Sequence, residues 1–385
     1  MIKTKDKNLI TYLLSYFLYN TARVLPHAIL TVLLLDKGMI VSQIALIQSF
    51  YMIAGLLFEF PSGILTDLWS EKRMYQLALI CLFFSYLAIW LSNKFVFLCG
   101  AWFIYGLSSA AISGSLEIYF LRQYQNNDHK IRRFNVAYNY ATLSSALIGG
   151  GIGSFIYAAI KIHIYIVALG ILLLALLLIT FFFRGNSLKP PAKQTNLIAE
   201  IKTIKNNTKL IFSVLQMAIY QIVAQLFFQF WQVMFLHKTF SSSYFGLFYV
   251  YFQIIALISN YLFNKMTGSK RHFLTISLIT LFLLLALQVT SPLLFIICFT
   301  LFLFPFNIYN TQLFVDIEAA SPPKVLSSIV SFSGTISSII SMLTLWLISG
   351  LNNLLNFKQM CIAITILFFG LSTFLLSVKA RKNVK

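Results

Sequence analysis

The stretch from Ile164 to Lys193 reads IYIVALGILLLALLLITFFFRGNSLKPPAK, a long apolar run that turns abruptly basic and carries two adjacent prolines. An α-helix rises about 1.5 Å per residue, so roughly 20 apolar residues cross a hydrocarbon core about 30 Å thick. Ile164–Phe183 meets that requirement. Arg184, Lys189, Lys193 and the Pro190-Pro191 pair do not continue it, because charge is costly in lipid and proline breaks the helical ladder.

Outward from this junction the apolar pattern recurs in both directions. Spans are expected at about 9–34, 42–64, 74–92, 95–120, 135–160, 163–183, 210–236, 244–263, 273–290, 292–314, 326–350 and 359–378. Composition agrees, since 59% of the 385 residues are hydrophobic, 38 are Phe and only 10% are charged, which leaves little chain for a soluble domain. The expected fold class is an all-α membrane protein with twelve transmembrane helices in two six-helix bundles. Residues 1–183 form the first bundle, 184–209 a basic linker with six cations against Glu200, and 210–385 the second bundle. A 6+6 division around such a linker suggests two homologous halves.

The net charge of +19 would suit nucleic acid if the cations formed one face. They do not. Lys37, Lys94, Lys161, Lys238 and Lys358 fall on one side of the expected membrane and Arg23 lies within a span. The other 23 of the 29 Lys and Arg residues fall on the opposite side. That asymmetry is the positive-inside rule, so both termini are expected in the cytoplasm and nucleic acid is excluded as a partner. Cys81, Cys99, Cys298 and Cys361 all lie in spans without metal-ligand spacing, so no metal, no cofactor and no disulfide framework are expected. The first span carries Arg23 and His27 and reads as a retained helix, not a signal peptide. Richness in Lys, Asn, Ile and Phe suits an AT-rich bacterial genome.

The turn after the second span reads Gly63-Ile-Leu-Thr-Asp67-Leu-Trp-Ser-Glu-Lys72-Arg73, and the turn after the eighth reads Asn264-Lys265-Met-Thr-Gly268-Ser-Lys270-Arg271. Both end in a basic pair just before the next span. The first resembles the loop between helices 2 and 3 of the major facilitator superfamily, Gly-x-Leu-Ala-Asp-Arg-x-Gly-Arg-Arg, with Leu68, Ser70 and Glu71 departing from it. The preceding Glu59-Phe60-Pro61-Ser62 is similar to a Glu-x-Pro-Thr/Ser run of bacterial members. The resemblance implies a conformational gate of Gly63, Asp67, Lys72 and Arg73. In it Asp67 meets the start of helix 11 near Lys324, and Lys72 or Arg73 pairs with Glu117. It also implies a central cavity lined by helices 1, 4, 7 and 10.

Polar residues inside spans are costly and tend to serve function. Tyr12, Tyr16, Asn20, Arg23 and His27 are spaced four, four, three and four, which places them on one face of helix 1. Gln221, Gln225, Gln229 and Gln232 form a corresponding stripe on helix 7. Helix 4 supplies Tyr105, Ser109 and Ser113. Helix 10, expected to be interrupted at Pro305, supplies Asn307, Asn310 and Thr311. These residues, with Tyr12 set aside as the innermost, are the candidate substrate ligands. Glu59, Glu117 and His27 are the titratable groups expected within the membrane and hence the candidates for proton coupling. The serines of helix 11 and the Gly149-xxx-Gly153 pair of helix 5 read as close-packing elements.

No nucleotide-binding motif and no catalytic constellation is present, so the chain is not expected to be an enzyme. The expected activity is secondary active transport, by alternating access in the bacterial cytoplasmic membrane, of a small amphipathic solute with negative charge. Proton-coupled export by a monomer comes first. A proton-coupled uptake symporter for an organic anion and a non-transporting membrane sensor are the alternatives.

Overall fold

The computed structural model describes residues 4–113, 115–124, 127–185, 207–263, 271–322 and 326–384, and all regular structure among them is helical. Backbone amides have no water to bond in lipid, so a chain of this composition satisfies them within helices. In order, the helices are α1 (Thr4–Val24), α2 (Leu30–Asp36), α3 (Val41–Leu68), α4 (Glu71–Leu91), α5 (Phe95–Ile112), α6 (Leu116–Tyr124), α7 (Asp128–Ile160) and α8 (Ile164–Phe182). After the linker come α9 (Thr208–Leu236), α10 (Phe245–Phe263), α11 (Arg271–Gln288), α12 (Pro292–Ala320), α13 (Leu326–Asn352) and α14 (Phe357–Val384). Ten stretches among the described residues are long and apolar enough to cross a membrane. One of these, Asp128–Phe182, contains both α7 and α8, and His272–Gln288 is a shorter apolar helix.

Three expected spans differ in detail. The first is not one helix. α1 stops at Val24, and after Pro26 the chain makes a short 3₁₀ turn, His27–Ile29, before α2 begins. Proline removes a donor and disfavours helical geometry at the residue before it. The fourth span divides into α5 and α6 between Ser113 and Ser115, whose hydroxyls compete with the helical backbone bonds. Conversely, α12 runs unbroken through Pro305. Nearby carbonyls there find side-chain donors: Asn307 Nδ2 bonds Leu303 O at 2.8 Å, and Tyr220 Oη bonds Phe306 O at 3.4 Å.

Contacts divide the chain into two compact units, Met1–Lys193 with Ser241–Val250, and Gln194–Phe240 with Tyr251–Lys385. In the first, α1 is the hub. Ser15 Oγ donates to Ala175 O of α8 at 2.9 Å, while Asn20 reaches α7. The glycine pair of α7 lets it lie directly on α1. A Cβ at Gly149 would sit 2.8 Å from Thr21 O, and one at Gly153 would collide with Leu25 O. Close-packed glycines are how membrane helices approach without a hydrophobic driving force. Ser154 Oγ of α7 also bridges Ser243 O and the Gly246 amide, at 2.8 and 2.9 Å.

In the second unit α9 is the hub, packed against α12, α13 and α14. Its apolar side meets a ring cluster in which Phe227, Phe235, Phe299 and Phe306 are all buried. The two units share one construction detail. Lys37, just past α2, donates to Ser92 O at 2.9 Å beyond the end of α4, and Lys238, just past α9, donates to Val289 O at 2.5 Å beyond the end of α11. A lysine one or two residues past the first rod of each unit ties down the end of its third rod, as expected if the halves are repeats.

Candidate functional site

Arg23 lies in the last turn of α1 and is half-buried. Its Nε and Nη2 both donate to Asn20 Oδ1, at 3.1 and 2.9 Å. Asn20 is 1% exposed, so this anchor is shielded from competing water. Its amide nitrogen is used in turn, donating to Ser145 Oγ at 2.6 Å and Thr142 O at 3.2 Å on α7. Asn20 therefore holds the guanidinium and fixes α1 to α7.

Around the guanidinium stand phenols. Tyr105, Tyr19, Tyr51 and Tyr86 are the groups close enough to act on it electrostatically. Tyr86 Oη also donates to the Arg23 carbonyl at 3.0 Å. The rings brace one another: Tyr51 and Tyr105 lie 5.1 Å apart edge to face, as do Tyr86 and Tyr105 at 5.8 Å. Tyr51 Oη donates to Ser109 Oγ at 2.8 Å, which brings Ser109 to the rim of the cage. The ion pairs found among the described residues are Arg122–Glu71 at 3.2 Å and His272–Asp316 at 2.9 Å. Neither involves Arg23. A buried charge without an opposite charge is costly unless polar neighbours solvate it. Here neutral hydroxyls and one amide do so.

A second group lies further along α1. Tyr16 stacks on Tyr138 of α7 at 4.5 Å, and Tyr16 Oη accepts from Thr142 Oγ1 at 3.3 Å. Glu117, at the start of α6, lies close enough to Tyr138 for the two to interact electrostatically. A polar chain thus leads from Glu117 through Tyr138, Tyr16, Thr142 and Asn20 to Arg23.

Several expected ligands are placed differently. His27 is in the turn after Pro26, so the four-residue helical spacing from Arg23 does not apply to it. Ser113 is exposed, in the break between α5 and α6. Lys72 does not pair with Glu117. Its ammonium caps α8, donating to Thr180 O at 3.1 Å and Phe183 O at 2.9 Å, where a helix C-terminus offers unbonded carbonyls. Arg73 closes the cap of α4 through its amide on Ser70 Oγ at 3.2 Å. Glu59, Gly63 and Asp67 lie on α3 with side chains outside the described residues, and Lys324 lies outside the described residues altogether.

In the second unit the glutamine stripe faces α13. Gln225 Nε2 donates to Ser341 Oγ at 3.1 Å, Ser341 reaches Gln221 at 3.5 Å, and Gln229 bonds Gln225 at 3.4 Å. Gln232 is buried. Gln221 also lines a cavity of about 200 Å³ with Phe314, Ser333 and Ser337. On α12, Asn307 bonds its own helix, Thr311 donates to Asn260 Oδ1 at 2.6 Å, and Asn310 is half-buried. Tyr19, Tyr51 and Tyr86 were not among the ligands expected from sequence, although each interrupts an apolar run. Nor was His272–Asp316, although Tyr309, Gln312 and Asp316 share one face of α12 by spacing.

The family model described as Major Facilitator Superfamily matches residues 12–345. The chain belongs to the major facilitator superfamily. Solved structures agree on the fold of this superfamily member. A bacterial homologue of the human lysosomal transporter Spinster, inward-facing and occupied, superposes with a TM-score of 0.76 at 12% identity, covering 99% of this chain and 98% of that one. A point mutant of the nucleoside transporter NupG gives 0.75 at 14% identity, with 96% of this chain and 98% of that one covered. A D-xylose–proton symporter gives 0.73 at 11% identity, with 97% of each chain covered. At such identities the likeness concerns the fold. No relative is found among the curated proteins. Membership makes the superfamily chain a multi-pass membrane protein of a transporter class, not an enzyme.

Proposed function

We propose that this protein is a twelve-span secondary transporter of the bacterial cytoplasmic membrane, with both termini cytoplasmic. It exports a small amphipathic organic anion in exchange for protons, by alternating access. The observation that carries this reading is Arg23, a cation deep in an apolar chain, held by neutral groups among the described residues. A guanidinium has five N–H donors, of which Asn20 Oδ1 receives two. An anionic group would complete its shell, and the surrounding phenol faces suit an apolar or aromatic body. Tyr16, Tyr105 and Ser109 complete the solute's surroundings. Glu117 carries the proton and senses the solute through the Tyr138–Tyr16–Thr142–Asn20 chain. Gly63, Asp67, Lys72 and Arg73 form the conformational gate.

Uptake by symport is the second reading. It is favoured by the likeness to a D-xylose–proton symporter and by the same polar chain, which would serve either direction. Purified protein in vesicles tests both. With an acid interior imposed, an exchanger accumulates external organic anion by releasing protons, whereas a symporter drives preloaded anion out. Flux indifferent to the proton gradient removes the coupling, and absence of flux for every anion tried removes the substrate class.

A further inference from the structure

In the second unit a cavity of about 380 Å³ opens beyond the C-terminal end of α9, a size typical of small-ligand sites. Its floor is apolar, formed by the buried side chains of Met234, Leu287 and Phe295. Its rim is basic, formed by His237, Lys238 and Lys358. The His237 ring stacks on Phe357 at 5.2 Å. Lys238 is held at Val289 O, with its ammonium 5.8 Å from the Phe295 ring centre. Lys358 is exposed at the start of α14, whose N-terminal end adds partial positive charge. Among the described residues no Asp or Glu lines the cavity. Burial, and then the neighbouring Lys358, holds the Lys238 ammonium below its usual value.

Two ammonium groups over an unfilled apolar-floored cavity are unfavourable when alone, since the charges repel and the unfilled space forfeits packing contacts. One kind of ligand removes both penalties. We propose that this cavity binds an amphipathic anion, with a phosphate or carboxylate head between Lys238 and Lys358 and an apolar body on Met234, Leu287, Phe295 and Phe357. The site shares no residue with the Arg23 cage. Its sidedness, though not its binding, rests on the topology proposed above: it faces outward, where cations are otherwise disfavoured.

Full-length protein in a nonionic detergent is titrated separately with decanoate, phosphatidylglycerol, phosphatidylcholine and inorganic phosphate, and bound ligand is followed by native mass spectrometry. Saturable binding of decanoate or phosphatidylglycerol is expected. It should weaken about ten-fold in Lys358→Gln, disappear in Lys358→Glu, and persist in Lys94→Gln. Binding of phosphatidylglycerol without decanoate assigns the site to a bilayer lipid, and decanoate without phosphatidylglycerol assigns it to a soluble amphipath. Phosphatidylcholine binding as tightly as phosphatidylglycerol overturns the proposal. So does inorganic phosphate binding as tightly as decanoate, or an unchanged Lys358→Glu. Transport is not measured, so the result leaves the exchange reading untouched.

Discussion

The leading helix of each unit carries a polar stripe, and the two stripes are used differently. On α1 the stripe contains a charge. Asn20 turns one oxygen to Arg23 and its nitrogen to α7, so the guanidinium is positioned while keeping donors to offer. On α9 the stripe is all amide, and Gln225 and Gln221 meet Ser341 of α13. The first stripe concentrates binding potential at one point. The second distributes hydrogen bonds along a helix pair, where interhelical bonds average about 0.6 kcal/mol each. Periodicity is the same in both, so it is the chemistry of the neighbouring helices that separates the two stripes, and the first is the one we propose for recognition.

The widest test of this contrast is Arg23. A charge-assisted hydrogen bond contributes about 1.5–3 kcal/mol, so Arg23→Gln should weaken anion binding by roughly one to two orders of magnitude. Arg23→Lys should retain part, since it keeps charge and loses the planar fork. Tight binding by Arg23→Gln, measured by calorimetry in detergent, would falsify the anion assignment.

Glu117→Gln should come next. If Glu117 carries the coupled proton, gradient-driven flux should fall about ten-fold or more, while exchange of labelled for unlabelled anion without a gradient persists. Equal loss of both fluxes would make Glu117 structural, a partner of Tyr138 only.

Asn20→Ala should show a mixed effect. Thermal unfolding in detergent should register the two lost contacts to α7, about 1–2 kcal/mol, and anion affinity should drop several-fold because Arg23 loses its anchor. A stability change with unaltered affinity would show that the phenols alone position Arg23.

The smallest change is expected from Gln225→Ala. It should cost about 0.6 kcal/mol of stability and leave anion affinity within about two-fold of the parent. A larger loss of affinity would place the α9 stripe in recognition after all and erase the contrast.

Much of the fold was legible because lipid thickness and backbone satisfaction act on short stretches of chain. The apolar runs, the basic linker, the lysines past the first spans and the Gly149–Gly153 pair could each be read locally. The site was half legible. Arg23, Asn20, Tyr105, Ser109 and Glu117 were named from their types and spacing; the structure sets Tyr105 and, through Tyr51, Ser109 about the guanidinium and links Asn20 towards Glu117 by way of Thr142, Tyr16 and Tyr138. Tyr51 and Tyr86 were not, because a tyrosine in a span reads equally well as packing until a charge is found beside it.

The two prolines mark the boundary between what the sequence determined and what the tertiary structure decided. Both Pro26 and Pro305 remove a backbone donor; from sequence the first span runs through Pro26 and the tenth breaks at Pro305, and the structure reverses both. Pro26 ends α1 and moves His27 off its helical register, whereas Pro305 stays inside a continuous α12 whose neighbouring carbonyls receive Asn307 and Tyr220. The stripes obey the same rule. Sequence alone determines which polar groups lie on a helix face, through a period of 3.6 residues. Whether each is occupied by a neighbour or left to a ligand depends on donors and acceptors from helices far away in the chain, and only packing brings those into reach.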